Sequence, residues 1–330
     1  MRPLALALCC LLALPGCAAP TVKKQMLSPA PAAEVARLTR LKVAAFDNDP
    51  GGQVRAAVES ALAGVTVDGR PYFAIIGANA PAQALGKPLQ WTDSSRPKAQ
   101  PIRYGSEGLV QGRVDQNGWQ DERYTETRRE CLAEDAKGRC VLMGNRHVQC
   151  TRRVAQFSFS PSVVDKDTGG VLMSQEFAES GQSSACHDKG SPTSGATLLA
   201  QARAKAIARF RNHVAPHSVT VSIPLLTEDD SGMNAQTKTL IAGGVDFASS
   251  GQTDKACRLW RSAASSHGAG FALPYLSGVC AELENNLDQA EEFYSLADQR
   301  AKDPVPEIAA ALARIKDTRA SQERLENQLK

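Results

Sequence analysis

The sequence predicts an α/β (α+β) sandwich domain with a mixed sheet, followed by an all-α helical repeat domain. Three observations carry that expectation. The first is a strand–loop–helix–strand order between Leu41 and Ile76, a building block of α/β folds. The second is an apolar hairpin centred on Thr168, with a long amphipathic helix after it. The third is an echo at 34 residues. Gly244 returns as Gly278, Ala256 as Ala290, Trp260 as Tyr294 and Ala263 as Ala297. A period near 34 is that of a stacked helix–turn–helix repeat.

The chain has 330 residues, room for two domains. Charged residues are 22% and hydrophobic ones 42%, which is ordinary for a folded chain. A net charge of +3 is too small to argue for nucleic acid, and 5% aromatics leave few stacking platforms. At the N-terminus, Arg2 precedes an apolar run, Leu4 to Leu14, that is too short to span a bilayer. It has the form of a secretory signal over residues 1–16. Leu14-Pro15-Gly16-Cys17 resembles a bacterial lipobox. That resemblance implies cleavage before Cys17 and its diacylation with fatty acids such as palmitate. A lipid-bearing Cys17 tethers the mature chain to a membrane. Ala18, rather than Asp, follows it, which by resemblance to Gram-negative lipoproteins implies the periplasmic side of the outer membrane.

Residues 17–38 are Ala- and Pro-rich and read as anchor and stalk. Leu41 to Phe46 is a short apolar strand, and Asp47 to Gly52 breaks it. Val54, Val58, Leu62 and their neighbours recur at helical spacing, and Tyr72 to Ile76 is a second strand. Asn79 to Ile102 reads as a loop. Gly108 to Val114 is a third strand. Tyr124 to Leu132, Cys140 to Val148, Arg152 to Val164 and Val171 to Glu179 are further strands. Thr197 to Val214 is the clearest helix, ended by Pro216, and Val219 to Leu225 is a last strand. Thr227 to Gly232 is acidic and reads as a flexible boundary before a domain over residues 233–330.

Once the leader is removed and Cys17 is lipidated, six cysteines remain: Cys131, Cys140, Cys150, Cys186, Cys257 and Cys280. In an exported chain an even number reads as up to three disulfides, with fifteen pairings open. Asp165 to Gly170 is a turn between two apolar alternations. Centring it on Thr168 sets Val163 opposite Met173, Phe159 opposite Phe177 and Phe157 opposite Glu179. Ser158 and Ser160 then point to the other face. The same register sets Cys150 opposite Cys186. Cys131 and Cys140 flank the polar turn Glu134 to Gly138, which fits a smaller hairpin.

Taken in order, the strand ending in Phe46-Asp47-Asn48, Gly51-Gly52, the Leu109 to Val114 strand and the Val164 to Leu172 hairpin resemble a known domain. It is the periplasmic domain of the curli-secretion (CsgG-like) lipoproteins and of the outer-membrane lipoprotein activators of peptidoglycan synthases. It would cover residues 39–228. The curli channel inserts amphipathic hairpins into the membrane, but Arg146, Arg152 and Arg153 interrupt any apolar band here, so pore formation is not carried over. The C-terminal segment resembles two tetratricopeptide repeats and a capping helix. In that resemblance Gly244 and Gly278 allow close packing, Ala256 and Ala290 are small where helices cross, Ala263 and Ala297 pack within the repeat, and Trp260 and Tyr294 fill the next helix. Phe247 returns as Ala281, so the second repeat is irregular. Cys257 and Cys280 would lie on neighbouring helices, close enough for a bridge.

No catalytic constellation emerges from the residues: there is no Gly-x-Ser-x-Gly elbow, no phosphate loop and no His-Glu-x-x-His pair. Asp47, Asp49 and Gly51 fit an N-capping turn better than a calcium loop. Cys150, Cys186, His147 and His187 could hold zinc, but an exported chain favours the disulfide. His213 and His217 are separated by Pro216 and share no helical face. Arg128, Arg129, Arg139, Arg146, Arg152 and Arg153 could meet an anionic glycan or lipid. Glu122, Glu126, Glu130 and Glu134 lie among them, so cross-strand pairing on a solvated face is the better reading. No cofactor and no metal is expected. The expectation is a non-enzymatic lipoprotein that scaffolds or regulates an envelope complex through protein contacts, with homo-oligomerisation open. The alternative is an oligomeric component of a curli-like secretion or export apparatus.

Overall fold

The computed structural model describes residues 20–76 and 106–329. The leader, Cys17 and the Asn79 to Ile102 loop lie outside the described residues. The strands are β1 (Thr21–Ser28), β2 (Arg40–Asp47), β3 (Thr66–Val67), β4 (Arg70–Pro71), β5 (Ala74–Ile76), β6 (Glu107–Glu134), β7 (Cys140–Asp165), β8 (Val171–Ser174), β9 (Phe177–Cys186) and β10 (His217–Pro224). The helices are α1 (Ala33–Ala36), α2 (Gln53–Ala63), α3 (Gly195–Val214), α4 (Ala235–Ser249), α5 (Thr253–Ser266), α6 (Ala272–Leu283), α7 (Leu287–Arg300) and α8 (Pro306–Leu329). They fall into two compact units. One is α/β, Leu27–Ser218 with Gln322–Lys330. The other is mainly helical, Val219–Ser321 with the N-terminal residues up to Met26.

The α/β unit is built on a mixed sheet in the order β5-β2-β6-β7-β8, with β9 lying along a further stretch of β7. β2 runs parallel to β5 and β6, while β7 is antiparallel to β6, β8 and β9. Period-two alternation puts Leu41, Val43, Val110, Phe157, Phe159 and Val163 on one face, where α2 and α3 cover them. Phe159 lies about 6 Å, ring to ring, from Phe46, Phe157, Phe177 and Phe210, so one side chain ties β2, β9 and α3 to the sheet centre. The hairpin turn is closed by Asp165, whose Oδ1 accepts from the Asp167 and Thr168 N–H groups. Gly169 takes φ 70° there, a conformation that L side chains rarely adopt. Val163 pairs with Met173, Phe159 with Phe177, Phe157 with Glu179 and Cys150 with Cys186, the register read from the sequence.

Three sequence expectations change. Tyr124 to Leu132 and Gly108 to Val114 are not separate strands but parts of the 28-residue β6; β7 likewise joins Cys140 to Val148 with Arg152 to Val164. Charged residues in alternation interrupt an apolar pattern without interrupting a ladder. Register shifts at Val114/Gln116 and Cys131/Ala133 absorb the irregularities. The stalk over residues 17–38 contains ordered structure. β1 pairs with β10, and Val35 and Ala36 of α1 are buried. The Ala/Pro composition masks the alternation of β1, whose Val22 is buried in the helical unit's core beside Ile223 and Leu225. Thr227 to Gly232 is also tied down. Asp229 Oδ2 accepts from the Ala272 N–H at 2.9 Å, capping α6 from a distance, and Lys302 pairs with Asp230. The compact units therefore do not divide at 228/233, and α8 from Gln322 onward belongs to the α/β unit.

In the helical unit the 34-residue echo is a repeated joint. A Cβ on Gly244 would sit 2.1 Å from Trp260 Nε1, and one on Gly278 would sit 2.7 Å from the Tyr294 ring. In each pair the glycine of the first helix admits the aromatic ring of the second. Ala256, Ala263, Ala290 and Ala297 are fully buried, and Ile308, Ala311 and Ile315 of α8 close the stack. Phe247 is only partly buried, with Lys255 over its ring.

Candidate interaction surfaces

The six cysteines form three bridges. Cys131–Cys140 and Cys257–Cys280 each span 5.6 Å between Cα atoms, and Cys150–Cys186 spans 3.8 Å. The two cysteines considered for zinc are thus bonded to each other. His147 points to the opposite face and meets Thr127 Oγ1, because it alternates with Val148 along β7. Glu126 approaches instead, its Oε2 3.5 Å from Cys186 Sγ. Sequence spacing gave no hint of Glu126, which arrives there by β6–β7 register. His213 ends α3 with its ring 5.7 Å from Phe177, and burial lowers its pKa; His217 begins β10. Asp49 Oδ2 accepts from the Val54 and Arg55 N–H groups at the start of α2, a capping geometry.

Past the sheet, β6 and β7 continue as a two-stranded ribbon. Arginines along this hairpin meet carboxylates: Arg152–Glu122 and Arg153–Asp121 where β9 still flanks β7, and beyond it Arg146–Glu130, Arg139–Asp135, and Arg128 with both Glu126 and Asp188. Glu122/Arg152 and Asp121/Arg153 stand directly opposite in register. The fork of Arg153 donates to both Asp121 oxygens at 2.7 Å and holds that carboxyl below its usual range. A single hydrogen bond from Arg128 Nε to Oε1 likewise holds the Glu126 carboxyl below its usual range. At the tip the character changes. Leu132, Val141, Leu142 and Met143 are exposed around the Cys131–Cys140 bridge.

Inside the helical unit lies a buried polar cluster that the sequence did not announce. Arg314 donates from Nε and Nη2 to the two oxygens of Glu282 at 2.8 and 2.9 Å, and Glu282 is 2% exposed. Tyr294 donates its hydroxyl proton to Glu282 Oε2 at 2.8 Å. Tyr275 donates to the Pro224 carbonyl. Burial, then the Glu282 charge, raises Tyr294's pKa, and burial pushes Tyr275 up to about 12. Burial lowers Lys24's pKa against the opposing pull of Glu282. On the surface above, α7 and α8 flank a groove of about 540 Å³ lined by Asp288, Glu291, Glu292, Leu296, Gln299 and Arg319. Arg319 bridges Asp288 and Glu291.

One pair imitates catalytic geometry. Ser231 Oγ lies 2.8 Å from His267 Nε2, beside Asp229. Yet Asp229 accepts from the Ser231 hydroxyl and caps α6, so it does not orient the imidazole. A serine that gives its proton to the carboxylate must accept from the histidine, which is the reverse of nucleophile activation.

No family model and no curated protein matches the chain. Among solved structures, the PelC dodecamer from Paraburkholderia phytofirmans aligns with 58% of this chain and 96% of its own, at 16% identity and TM-score 0.23. A single-residue variant of it aligns with 59% and 96%, at 14% identity and TM-score 0.22. At those TM-scores nothing of that protein's assembly transfers to this chain. No helix among the described residues is long and apolar enough to cross a membrane.

Proposed function

We propose that this protein is a non-enzymatic lipoprotein, anchored through Cys17 to the periplasmic side of the outer membrane. There it scaffolds or regulates an envelope complex through protein contacts. The observation that carries the reading is the helical unit: a tetratricopeptide-like stack with the same Gly–aromatic joint in both pairs, and an open groove between α7 and α8. Three disulfides accord with an exported chain. Deleting residues 233–330 would be a poor test, because it also removes Gln328, which holds Ala30 in the α/β unit. The better test replaces exposed groove residues, Glu292→Arg with Gln299→Arg, in the full-length lipoprotein. Envelope partners recovered by cell crosslinking and affinity purification should be lost from that variant while membrane fractionation is unchanged. Unchanged recovery would sink the groove assignment. Cys17→Ser should release the protein from the membrane fraction.

A second reading is an oligomeric component of a curli-like secretion or export apparatus. The β6–β7 ribbon with its apolar tip favours it, as do long strand edges that have no second strand neighbour among the described residues. Light scattering and imaging of the detergent-extracted protein test it, with a monomer at all concentrations counting against.

A further inference from the structure

β6 and β9 flank β7, and among the described residues neither has a second strand neighbour over the stretch they share. β2 pairs with β6 only as far as Arg113, and β9 pairs only with β7. Open edges of this length are commonly blunted by Lys or Pro. Neither Gln116 to Tyr124 nor Phe177 to Cys186 contains either residue.

The free backbone groups on each edge follow from the ladder. His187 N–H donates to the Gln149 carbonyl at 3.0 Å, so that rung is hydrogen-bonded. The next, Cys150/Cys186, has its Cα atoms 3.8 Å apart, a close rung of the other kind. Rungs alternate in an antiparallel ladder. Odd-numbered β9 residues therefore bond β7, and Ser180, Gln182 and Ser184 direct free N–H and C=O groups outward, as does Ala178, whose carbonyl already accepts from Arg209 at 3.1 Å. On β7 the even-numbered residues turn to β6, so Asn117, Trp119, Asp121 and Arg123 direct theirs outward from β6.

Both strands are antiparallel to β7 and hence parallel to each other. Ala155 pairs with Trp119 on one side and Gly181 on the other, so those two stand level. We propose that the β6 edge of one copy pairs in parallel with the β9 edge of the next, Trp119 opposite Gly181. A parallel ladder needs each outward residue to fall between two outward residues of its partner. Trp119 then bonds Ser180 and Gln182, and the same faces stay aligned; a slip of one residue breaks both conditions. Level pairs include Gln116/Ala178, Gln120/Gln182, Asn117/Glu179, Asp121/Ser183 and Arg123/Ala185, with no like charges opposed. Trp119, 52% exposed, meets a glycine that offers no side chain to clash. Two different edges make a heterologous contact, which propagates to a ring or an open filament. This interface rests on the oligomeric reading above.

The test uses the full lipoprotein in detergent. Gln120→Cys with Gln182→Cys, treated with a short bis-maleimide, should give a ladder of covalent species beyond the dimer. Neither single variant should give it. Ser180→Pro deletes one outward N–H and leaves the β7 ladder intact. It should abolish assembly while the melting temperature of the dilute protein stays near that of Ser180→Ala. Assembly without the crosslinked ladder, or dimers from Gln120→Cys alone, would overturn the interface but not the oligomer. A wild-type monomer at every concentration would overturn both.

Discussion

At the residue scale the helical unit depends on two absent side chains and one buried charge pair. Gly244→Ala would drive a methyl group into Trp260, whose indole already donates to the Ile241 carbonyl. Overpacking of this kind costs about 1–3 kcal/mol. Gly244→Ala should accordingly lower the urea midpoint, and Gly278→Ala should do so by a comparable amount. Glu282→Ala leaves Arg314 without its buried partner, a loss of about 3–5 kcal/mol in such pairs. A change under 1 kcal/mol in chemical denaturation would show the pair to be dispensable. The tyrosines set an alkaline limit. Tyr275's pKa is 10.0 unfolded and about 12 folded, so the folded state holds its proton more tightly. Its contribution is complete below pH 10 and is lost as pH rises towards 12. Alkaline unfolding followed by tyrosinate absorbance should show ionisation arriving with the loss of helix, and Tyr275→Phe should weaken that coupling. The glycine–aromatic joints were legible as a period in the sequence. The Glu282–Arg314 pair was not, because its partners stand 32 positions apart with no shared motif.

At the element scale the β6–β7 ribbon is the feature composition hides. Alternating charges break the apolar pattern into short pieces, and only the paired strands show Arg146, Arg152 and Arg153 meeting carboxylates across the ladder. The carboxyls of Asp121, Glu126, Asp135 and Asp165 are held low, the first two by arginine hydrogen bonds and the latter two chiefly by backbone N–H groups. Their share of stability is present above the unfolded carboxylate range and is lost as acid titrates the folded groups. The Cys150–Cys186 bridge closes the β7–β9 ladder at one end. Replacing both cysteines with serine should cost about 2–4 kcal/mol. Non-reducing peptide mapping checks the pairing itself, and recovery of Cys150 with any residue but Cys186 would contradict the register. That pairing was readable because a symmetric turn at Asp165 to Gly170 propagates one register along both strands. Nothing local marked the ribbon's length, since strand ends depend on where a neighbour stops pairing.

At the scale of the whole molecule, the two compact units do not follow the order of the chain. The helical unit takes in β1 residues up to Met26, and the α/β unit takes in the end of α8. Gln328, 2% exposed, donates to the Ala30 carbonyl and accepts from its N–H. Gln328→Ala should cost about 1–3 kcal/mol, read as a lower melting temperature, because it orphans buried backbone groups. Truncation after Ser321 should be at least as damaging. By itself the sequence determined the secondary-structure classes, the hairpin register, the disulfide opposite it and the repeat, all of which arise from periodicity within a few dozen residues. Only the tertiary structure decided that the apparent stalk is a strand, that Asp229 caps a helix far from it, and which sheet edges lack a strand neighbour among the described residues. Those facts depend on contacts between distant segments, where burial and backbone hydrogen bonding are settled by whatever the fold brings alongside.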